Sequence, residues 1–451
     1  MRILAHIFAA LALTMLAAHP AAAQSILRDA ETEQLLQDMV DPLAEAAGLG
    51  EGSVEVVLLD DNSINAFVAG GQRIYVHSGL IAAADTANEV QGVLAHELGH
   101  VMGGHIIRYS EGATNATRIT LLSALAAIGA ALAGSGDAAM GIFAMGQQAA
   151  MGSFLTFTRT QEASADAAGA QYLSDAGITG RGSLEFFRKL QNYEFRRGIS
   201  QTAEQEFART HPLSGSRIAA LRAGYEADPA WDVPPDPVQQ MRFERIKAKL
   251  FGFQADPART LNAFPVYMTG VPARYARAYA YNKEALIDNA LAETDALIAQ
   301  EPDNPYFLEL KGQILLESGR AEEALLPLRR SVELTNYNPL IAPMLGHALL
   351  ATENPAYLEE AERVLRAAVG RDRLNPFAWY QLGVVYGQRG DFPRARLASA
   401  EQQIMSGNPR AALQSARTAE AGLPEGTPDW IRAQDVAIEA RAMIERLDER
   451  G

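Results

Sequence analysis

The sequence predicts an α+β protein that is mostly α: a front domain with a small β-sheet, followed by an α-solenoid of stacked helical hairpins. Three observations predict it. The run His96-Glu97-Leu98-Gly99-His100 sits inside one long helical stretch. Strand-like segments are confined to the region just before it, between Val54 and Val76. Prolines then recur at Pro272, Pro305, Pro339, Pro376 and Pro409, at steps of 33, 34, 37 and 33 residues. The chain has 451 residues and 48% hydrophobic residues, enough for two or three domains with sizeable cores.

The N-terminus reads as an export signal. Arg2 gives a short positive region, Ile3 to Ala18 is apolar with one His, and Ala21-Ala22-Ala23 matches an A-x-A cleavage site before Gln24. An uncleaved anchor is the other reading, and the apolar stretch is short for a span. The junction has no Cys to carry a lipid. We therefore divide the chain into a signal peptide at 1–23, a front domain at 24–250, a linker at 251–271 and a repeat domain at 272–451.

Each element has its own signal. Ser25 to Ala47 has helical periodicity, with Leu27, Leu35, Leu36, Met39, Val40 and Leu43 on one side. Gly48, Gly50 and Gly52 break it. Val54 to Leu59 reads as a buried strand. Asn65 to Val76 reads as two strands joined by a turn at Gly70-Gly71. The stretch Ala66 to Val76 is expected to present an edge to which an extended peptide can pair. Thr86 and Glu89 have capping-box spacing, so a helix starts near Asp85-Thr86, carries the His pair and runs on towards Arg108. Ile119 to Gly136 and Ala138 to Thr158 are uncharged apart from Asp137 between them. They are expected to form a hairpin packed on or over the functional site; peripheral membrane contact through 119–158 is the second reading. Gln161 to Leu173 and Leu184 to Arg197 are further helices. The proline-rich Asp228 to Pro237 marks a boundary, and Met241 to Phe251 is a basic amphipathic helix expected to close the front domain.

The proline period, with helical patterning throughout, is the signature of tetratricopeptide repeats. Gly312 and Gly383 each follow their prolines by seven residues, where two helices pack closely. Tyr380, Leu382 and Tyr386 lie on the first helix of their repeat. Gly319 and Gly390 make turns, and Ala324 and Ala395 begin the second helix's packing face. The step of 37 implies an insertion near Thr352 to Tyr357, and 409–448 reads as a terminal cap. Each unit buries its face only against its neighbours.

The formal net charge of −15 argues against nucleic acid or anionic lipid as the main partner. With no cysteine there is no disulfide, no thiolate metal site and no Cys nucleophile. Any metal must be held by His and carboxylates. A secreted chain without cysteine suits the periplasm of a Gram-negative cell.

His96 and His100, at i and i+4, lie one turn apart on one helical face and can share a zinc ion. Glu97 beside them can take the proton of an attacking water. A catalytic zinc normally has three protein ligands. The best third candidate is Glu162 in Gln161-Glu162-Ala163-Ser164-Ala165-Asp166, with Asp166 again at i+4, able to accept a hydrogen bond from the far nitrogen of a ligand His. His211, in Thr210-His211-Pro212, is either a donor to the developing oxyanion or a further zinc ligand that blocks water. Arg217 is an oxyanion or structural partner. His105 lies about 500° round the helix from His100 and reads as structural. His77 receives no role.

These residues resemble the M48 family of zinc metallopeptidases. The resemblance rests on HELGH with His105 close behind, on TRTQEASADAAGA, on THPLSGSRI and on NAFVAGGQRIYVHSGLI, in the family's order over roughly residues 25–250. It implies a gluzincin fold and site: His96, His100 and Glu162 on one zinc, Glu97 as general base, and Asp166 behind the ligands. The repeats resemble those of the family's periplasmic branch, which serves outer-membrane protein quality control. The resemblance implies a zinc-dependent endopeptidase acting on unfolded or misassembled envelope proteins, with the repeats recruiting clients or outer-membrane assembly machinery. The alternative is a scaffold or chaperone in which the repeats do the main work and proteolysis is secondary or latent. An aminopeptidase has no sequence support.

Overall fold

The computed structural model describes residues 25–132, 136–197, 211 and 215–449. The expected signal peptide and its cleavage site lie outside them. The chain divides into two compact units, one of Met1–Leu27 with Met39–Val233 and one of Arg28–Asp38 with Pro234–Gly451. This differs from the sequence division in three places, the first being that Arg28–Asp38 falls in the second unit. The helix over Met241–Phe251 belongs to the second unit, and the expected linker at 251–271 contains helix. Aspartates start both helices there: Asp236 and Asp256 cap Pro237–Gln254 and Pro257–Ala263, each with proline in the first turn, so the proline-rich stretch starts helix instead of spacing domains.

In the first unit, β1 (Ser25–Ile26) pairs antiparallel with β2 (Glu55–Asp60), which delays the start of α1 to Ala30–Ala46. The predicted apolar stripe of α1 from Leu35 to Leu43 is buried. β3 (Ala66–Val68) and β4 (Arg73–His77) complete a four-stranded sheet of order β1-β2-β4-β3. β2 runs parallel to β4, with Val56 opposite Ile74. Gly70 and Gly71 take positive φ in the turn between β3 and β4. Only Ala66–Val68 of the expected edge segment is an edge; β4 lies between β2 and β3, its amides already paired. The short α2 (Ser78–Ala83) follows.

The central helix is α3 (Ala87–Met102), every residue of which from Ala87 to His100 is buried. Thr86 caps it by accepting from the Glu89 amide, and the Glu89 carboxylate accepts from the Asp85 amide at 2.7 Å. The helix stops at Gly103, and Gly104, at φ +60°, turns the chain. It therefore does not continue to Arg108: α4 (His105–Leu132) begins afresh. α5 (Gly136–Asp175) is one helix where the sequence suggested two, since nothing between Thr158 and Gln161 breaks the backbone. The unit ends with α6 (Arg181–Arg197), α7 (Gly215–Ala227) and a 3₁₀ turn at Pro229–Asp232.

Glycines bring α3 and α5 together. A Cβ on Gly99 would lie 2.6 Å from the Ala165 carbonyl oxygen, and one on Gly169 would lie 2.8 Å from that of Ala95. The two backbones touch where the sequence carries the two His and the two acids. Asn88 ties α3 to the start of α6, donating to the Thr179 carbonyl and accepting from the Gly182 amide.

The α4–α5 hairpin also packs through small residues, with Gly146 against Ser123. That leaves the larger apolar side chains outside: Leu121, Leu122, Leu125, Ile128, Met140, Phe143, Met145 and Met151 are exposed. The expectation of a hairpin packed over the site does not describe these residues. No helix among the described residues is long and apolar enough to cross a membrane.

The second unit begins with α8 (Pro237–Gln254) and α9 (Pro257–Ala263) and continues as helical hairpins: α10 (Val271–Lys283) with α11 (Ile287–Gln300), α12 (Pro305–Glu317) with α13 (Ala321–Leu334), α14 (Ala342–Ala351) with α15 (Leu358–Arg371), α16 (Pro376–Gln388) with α17 (Phe392–Met405), and α18 (Pro409–Gly422) with α19 (Pro428–Asp448). The Asn-Pro pairs explain the period: Asn304, Asn375 and Asn408 cap helices whose first residue is the following proline. Gly312 accepts Leu328 of the partner helix, and Gly346, seven after Pro339, accepts Leu365 in the same way. Gly383 is looser, its nearest neighbour being the Ala398 Cβ at an ordinary contact distance. Tyr380 is exposed, while Leu382 and Tyr386 are buried. Gly319 and Gly390 take φ +79° in the inter-helix turns. The insertion is a 3₁₀ turn at Pro355–Tyr357.

Candidate metal centre

α3 supplies His96, Glu97 and His100, and α5 supplies Glu162 and Asp166; all are buried. His211 and Arg217 complete the group and are buried as well. His96, His100, Glu162 and His211 each offer a ligand atom, and these atoms lie within 4.8 Å of one another. His96 Nε2 is 3.2 Å from His100 Nε2 and 3.3 Å from His211 Nδ1. Glu162 carboxylate oxygens lie 3.5 Å from His96 Nε2, 3.4 Å from His100 Nε2 and 3.1 Å from His211 Nδ1.

Those spacings test whether a metal fits. Zinc with ligands at about 2.0–2.1 Å in a tetrahedron places its donor atoms roughly 3.3–3.4 Å apart. Five of the six separations, taken over both Glu162 oxygens, fall at 3.1–3.5 Å and match the edges of such a tetrahedron, and the sixth lies within 4.8 Å. The donor set is also the N/O type that suits zinc in a chain without cysteine. The residues fit a single divalent ion.

The surrounding groups orient these donors. His96 Nδ1 faces Asp166 Oδ1 at 3.0 Å. Arg217 grips Asp166 with two bonds, Nε to Oδ2 at 2.7 Å and Nη2 to Oδ1 at 2.8 Å, and reaches Glu162 Oε2 with Nη1 at 3.1 Å. Arg217 thus takes the structural place of the two offered for it. His105 Nδ1 lies 2.9 Å from His100 Nδ1. Helical spacing from His100 does not reveal this contact, because the helix has already ended at Gly103. The signal was the Gly103-Gly104 pair: the His105 ring packs where a Cβ on Gly103 would sit. His77 meets Ser63 Oγ at 2.6 Å and packs edge-on to Phe67, away from the metal group.

Charge follows the same geometry. Burial opposes the His96 cation, but hydrogen bonds with Asp166 and Glu162 outweigh it and push its pKa up to about 10. Burial, with the neighbouring His96 and His211, holds His100 down to about 2. Burial works against the Glu162 charge, yet His211 and His96 hold its pKa well below the usual carboxylate range. Asp166 is likewise held low against its burial, by Arg217 and then His96.

Glu97 points into this group. Neither of its carboxylate oxygens has a hydrogen-bond partner, and His211 Nε2 is 3.5 Å from Oε1. Burial raises its pKa, with His211 and His96 pulling the other way. A carboxylate without a partner, beside a site that fits a metal, is placed to take up a proton.

Comparison with known proteins agrees with this geometry. The pattern of peptidase family M48 matches residues 30–224. The chain is 26% identical over 400 residues to the beta-barrel assembly-enhancing protease of Escherichia coli (strain K12), covering 86% of this chain and 79% of that one. The corresponding protein of Yersinia pestis is 25% identical over 401 residues, covering 87% and 79%. The protease HtpX of Xanthomonas oryzae pv. oryzae (strain PXO99A) is 30% identical over 216 residues, covering 43% of this chain and 73% of that one. The chain belongs to peptidase family M48, as a metalloprotease with tetratricopeptide-type repeats behind its catalytic domain.

Proposed function

We propose that this protein is a periplasmic zinc endopeptidase that hydrolyses misfolded or stalled envelope and outer-membrane proteins. Its repeats recruit clients or the assembly machinery. The observation that carries the reading is Glu97, buried, without a hydrogen-bond partner and next to four donors spaced for one metal. The similarity to beta-barrel assembly-enhancing proteases supports the envelope role. The A-x-A junction before Gln24 supports export.

When bound, zinc supplies Lewis acidity, polarising the scissile carbonyl and making water a stronger acid. The chain's residues do the rest. His96, His100 and Glu162 hold the ion. Asp166 and His105 fix the rings of His96 and His100. Glu97 takes the proton of the attacking water and passes it to the leaving amine. β3, as an edge strand, offers main-chain groups to an extended substrate, which gives weak sequence preference. The exposed apolar residues of the α4–α5 hairpin suit a client or a membrane surface.

His211 supports a second reading, in which proteolysis is latent and the repeats act as scaffold or chaperone. Its Nδ1 stands in the donor group, as a fourth ligand would, at the position water needs. Of its two sequence readings, this position favours the self-inhibiting one over the oxyanion donor. The mature chain tests both readings, with unfolded casein as substrate. Cleavage that is lost in chelator and restored by zinc supports the protease, and a rise in rate with His211→Ala supports self-inhibition. No cleavage by wild type or His211→Ala contradicts the protease reading.

A further inference from the structure

The second unit contains a cavity of about 240 Å³ that the protease reading does not use. It lies between α15, α16, α17 and α19. Its floor is apolar, formed by Val369, Leu382 and Leu397, with Trp379 and Tyr386 as aromatic walls. Its remaining walls are strongly cationic for a chain of net charge −15: Arg366, Arg373, Arg394 and Arg432 face it against only two acids, Glu401 and Asp429.

Two of the four arginines are already satisfied. Arg394 bonds Asp429 at 2.7 Å and Asp391 at 2.8 Å, and Arg432 forms a double bond pair with Glu401. These pairs shape the wall and offer little to a ligand. The other two differ. Arg366 is half-exposed, and its contact to Glu362 is long, 3.6 Å, while Glu362 is engaged at 2.5 Å by Arg389. Arg373 is exposed and forms no side-chain ion pair or hydrogen bond among the described residues. Its backbone is fixed beside the cavity because the Trp379 indole donates to its carbonyl at 3.0 Å. Two arginines without a short ion pair therefore line a cavity that also carries apolar and aromatic side chains.

We infer that this cavity binds the C-terminal residue of a peptide chain, its α-carboxylate on Arg366 and Arg373 and its apolar side chain in the floor. Guanidiniums match carboxylates in shape and charge. A chain end also places a carboxylate and an apolar side chain on the same residue, as the cavity places its arginines and its floor. Size argues for an end: ligand pockets usually run from about 300 Å³ upward, so this one takes about a single residue and not a passing segment. The inference builds on the reading that the repeats collect protein clients, and not on proteolysis.

Calorimetric titration of the mature chain carrying Glu97→Gln tests it without cleavage. The probes are acetyl-Gly-Ala-Phe with a free carboxylate, its C-terminal amide, and acetyl-Asp-Gly-Phe-amide. We expect the free acid to bind at least about tenfold tighter than either amide, since both lack the terminal α-carboxylate that pairs with the arginines. Arg373→Glu should weaken the free acid about tenfold or more. Arg410→Glu, which makes the same charge change at an exposed site outside the cavity, should not. Equal binding of acid and amide, or unchanged binding to Arg373→Glu, overturns the inference. Equal binding of the internal aspartate peptide also overturns it, in favour of an acidic segment. Binding of unfolded casein to the same Glu97→Gln chain is measured in parallel. If casein binds and the tripeptide acid does not, this cavity is wrong and the client reading stands.

Discussion

Arg217 and His105 carry more of the metal centre than their place in the sequence suggests. The Arg217 guanidinium bonds both Asp166 and Glu162, and all three side chains are buried. Removing it strands two buried carboxylates, which costs about 3–5 kcal/mol. Arg217→Ala should therefore lower the denaturation midpoint of the metal-free chain, and Arg217→Lys should recover little, because an ammonium cannot form the two-pronged bond. A midpoint unchanged in Arg217→Ala contradicts that role. His105 acts through His100. His105→Ala should weaken zinc binding about 10–100-fold in chelator competition. His105→Gln, which keeps a side-chain acceptor, should recover part of the loss; equal affinity in all three proteins removes His105 from the account. The sequence made His96, Glu97, His100, Glu162 and Asp166 legible as candidates because their spacings are fixed by helix geometry. The contacts of His105 and Arg217 depend on where a helix stops and where a distant segment lands, which spacing alone does not encode.

At the scale of elements, the crossing of α3 and α5 sets the site. Gly99 lets the Ala165 backbone approach, so Gly99→Ala must push the helices apart at the level of His100 and Glu162. We expect a loss of about 1–3 kcal/mol in stability, as for other overpacked contacts, together with weaker zinc binding. Retention of both would show that the close approach is dispensable. In the second unit, Glu309 on α12 makes a pH-dependent contribution. Burial pushes its carboxyl up to about 7; Lys249 opposes this, and Asp29 and Glu31 add to it. Between the ordinary value of 4.5 and 7 the folded chain binds more protons than the unfolded one. Stability from this group is therefore full below the lower value and falls as pH rises through the window. Glu309→Gln should flatten the fall and be more stable than wild type at pH 8 by about 1–2 kcal/mol, after discounting for the side chain's partial exposure. Parallel wild-type and variant curves across that range contradict the assignment. Most helices were legible, but not Ser78–Ala83, Gly215–Ala227 or Pro257–Ala263, the last of which was expected as linker. Helix ends were less so: β1 pairing delays α1, two glycines stop α3, and the lack of a breaker fuses two predicted helices into α5.

For the whole molecule, the family and the repeats were both readable in the sequence, the first from motifs in order and the second from a proline period, at three steps of which Asn304, Asn375 and Asn408 cap the helix that the proline begins. The division between units was less readable. A proline-rich stretch suggested a spacer near residue 251, but the prolines sit in first turns behind aspartate caps and start helices of the second unit. The proposed protease activity requires Glu97 to act as the base beside a bound zinc. The direct measurement takes wild type and Glu97→Gln from the same preparation, counts zinc per chain, and follows cleavage of unfolded casein. We predict one zinc per chain in both and a loss of cleavage of at least about 100-fold in the variant. Zinc bound with cleavage undiminished in Glu97→Gln, or no zinc in either protein, would contradict it.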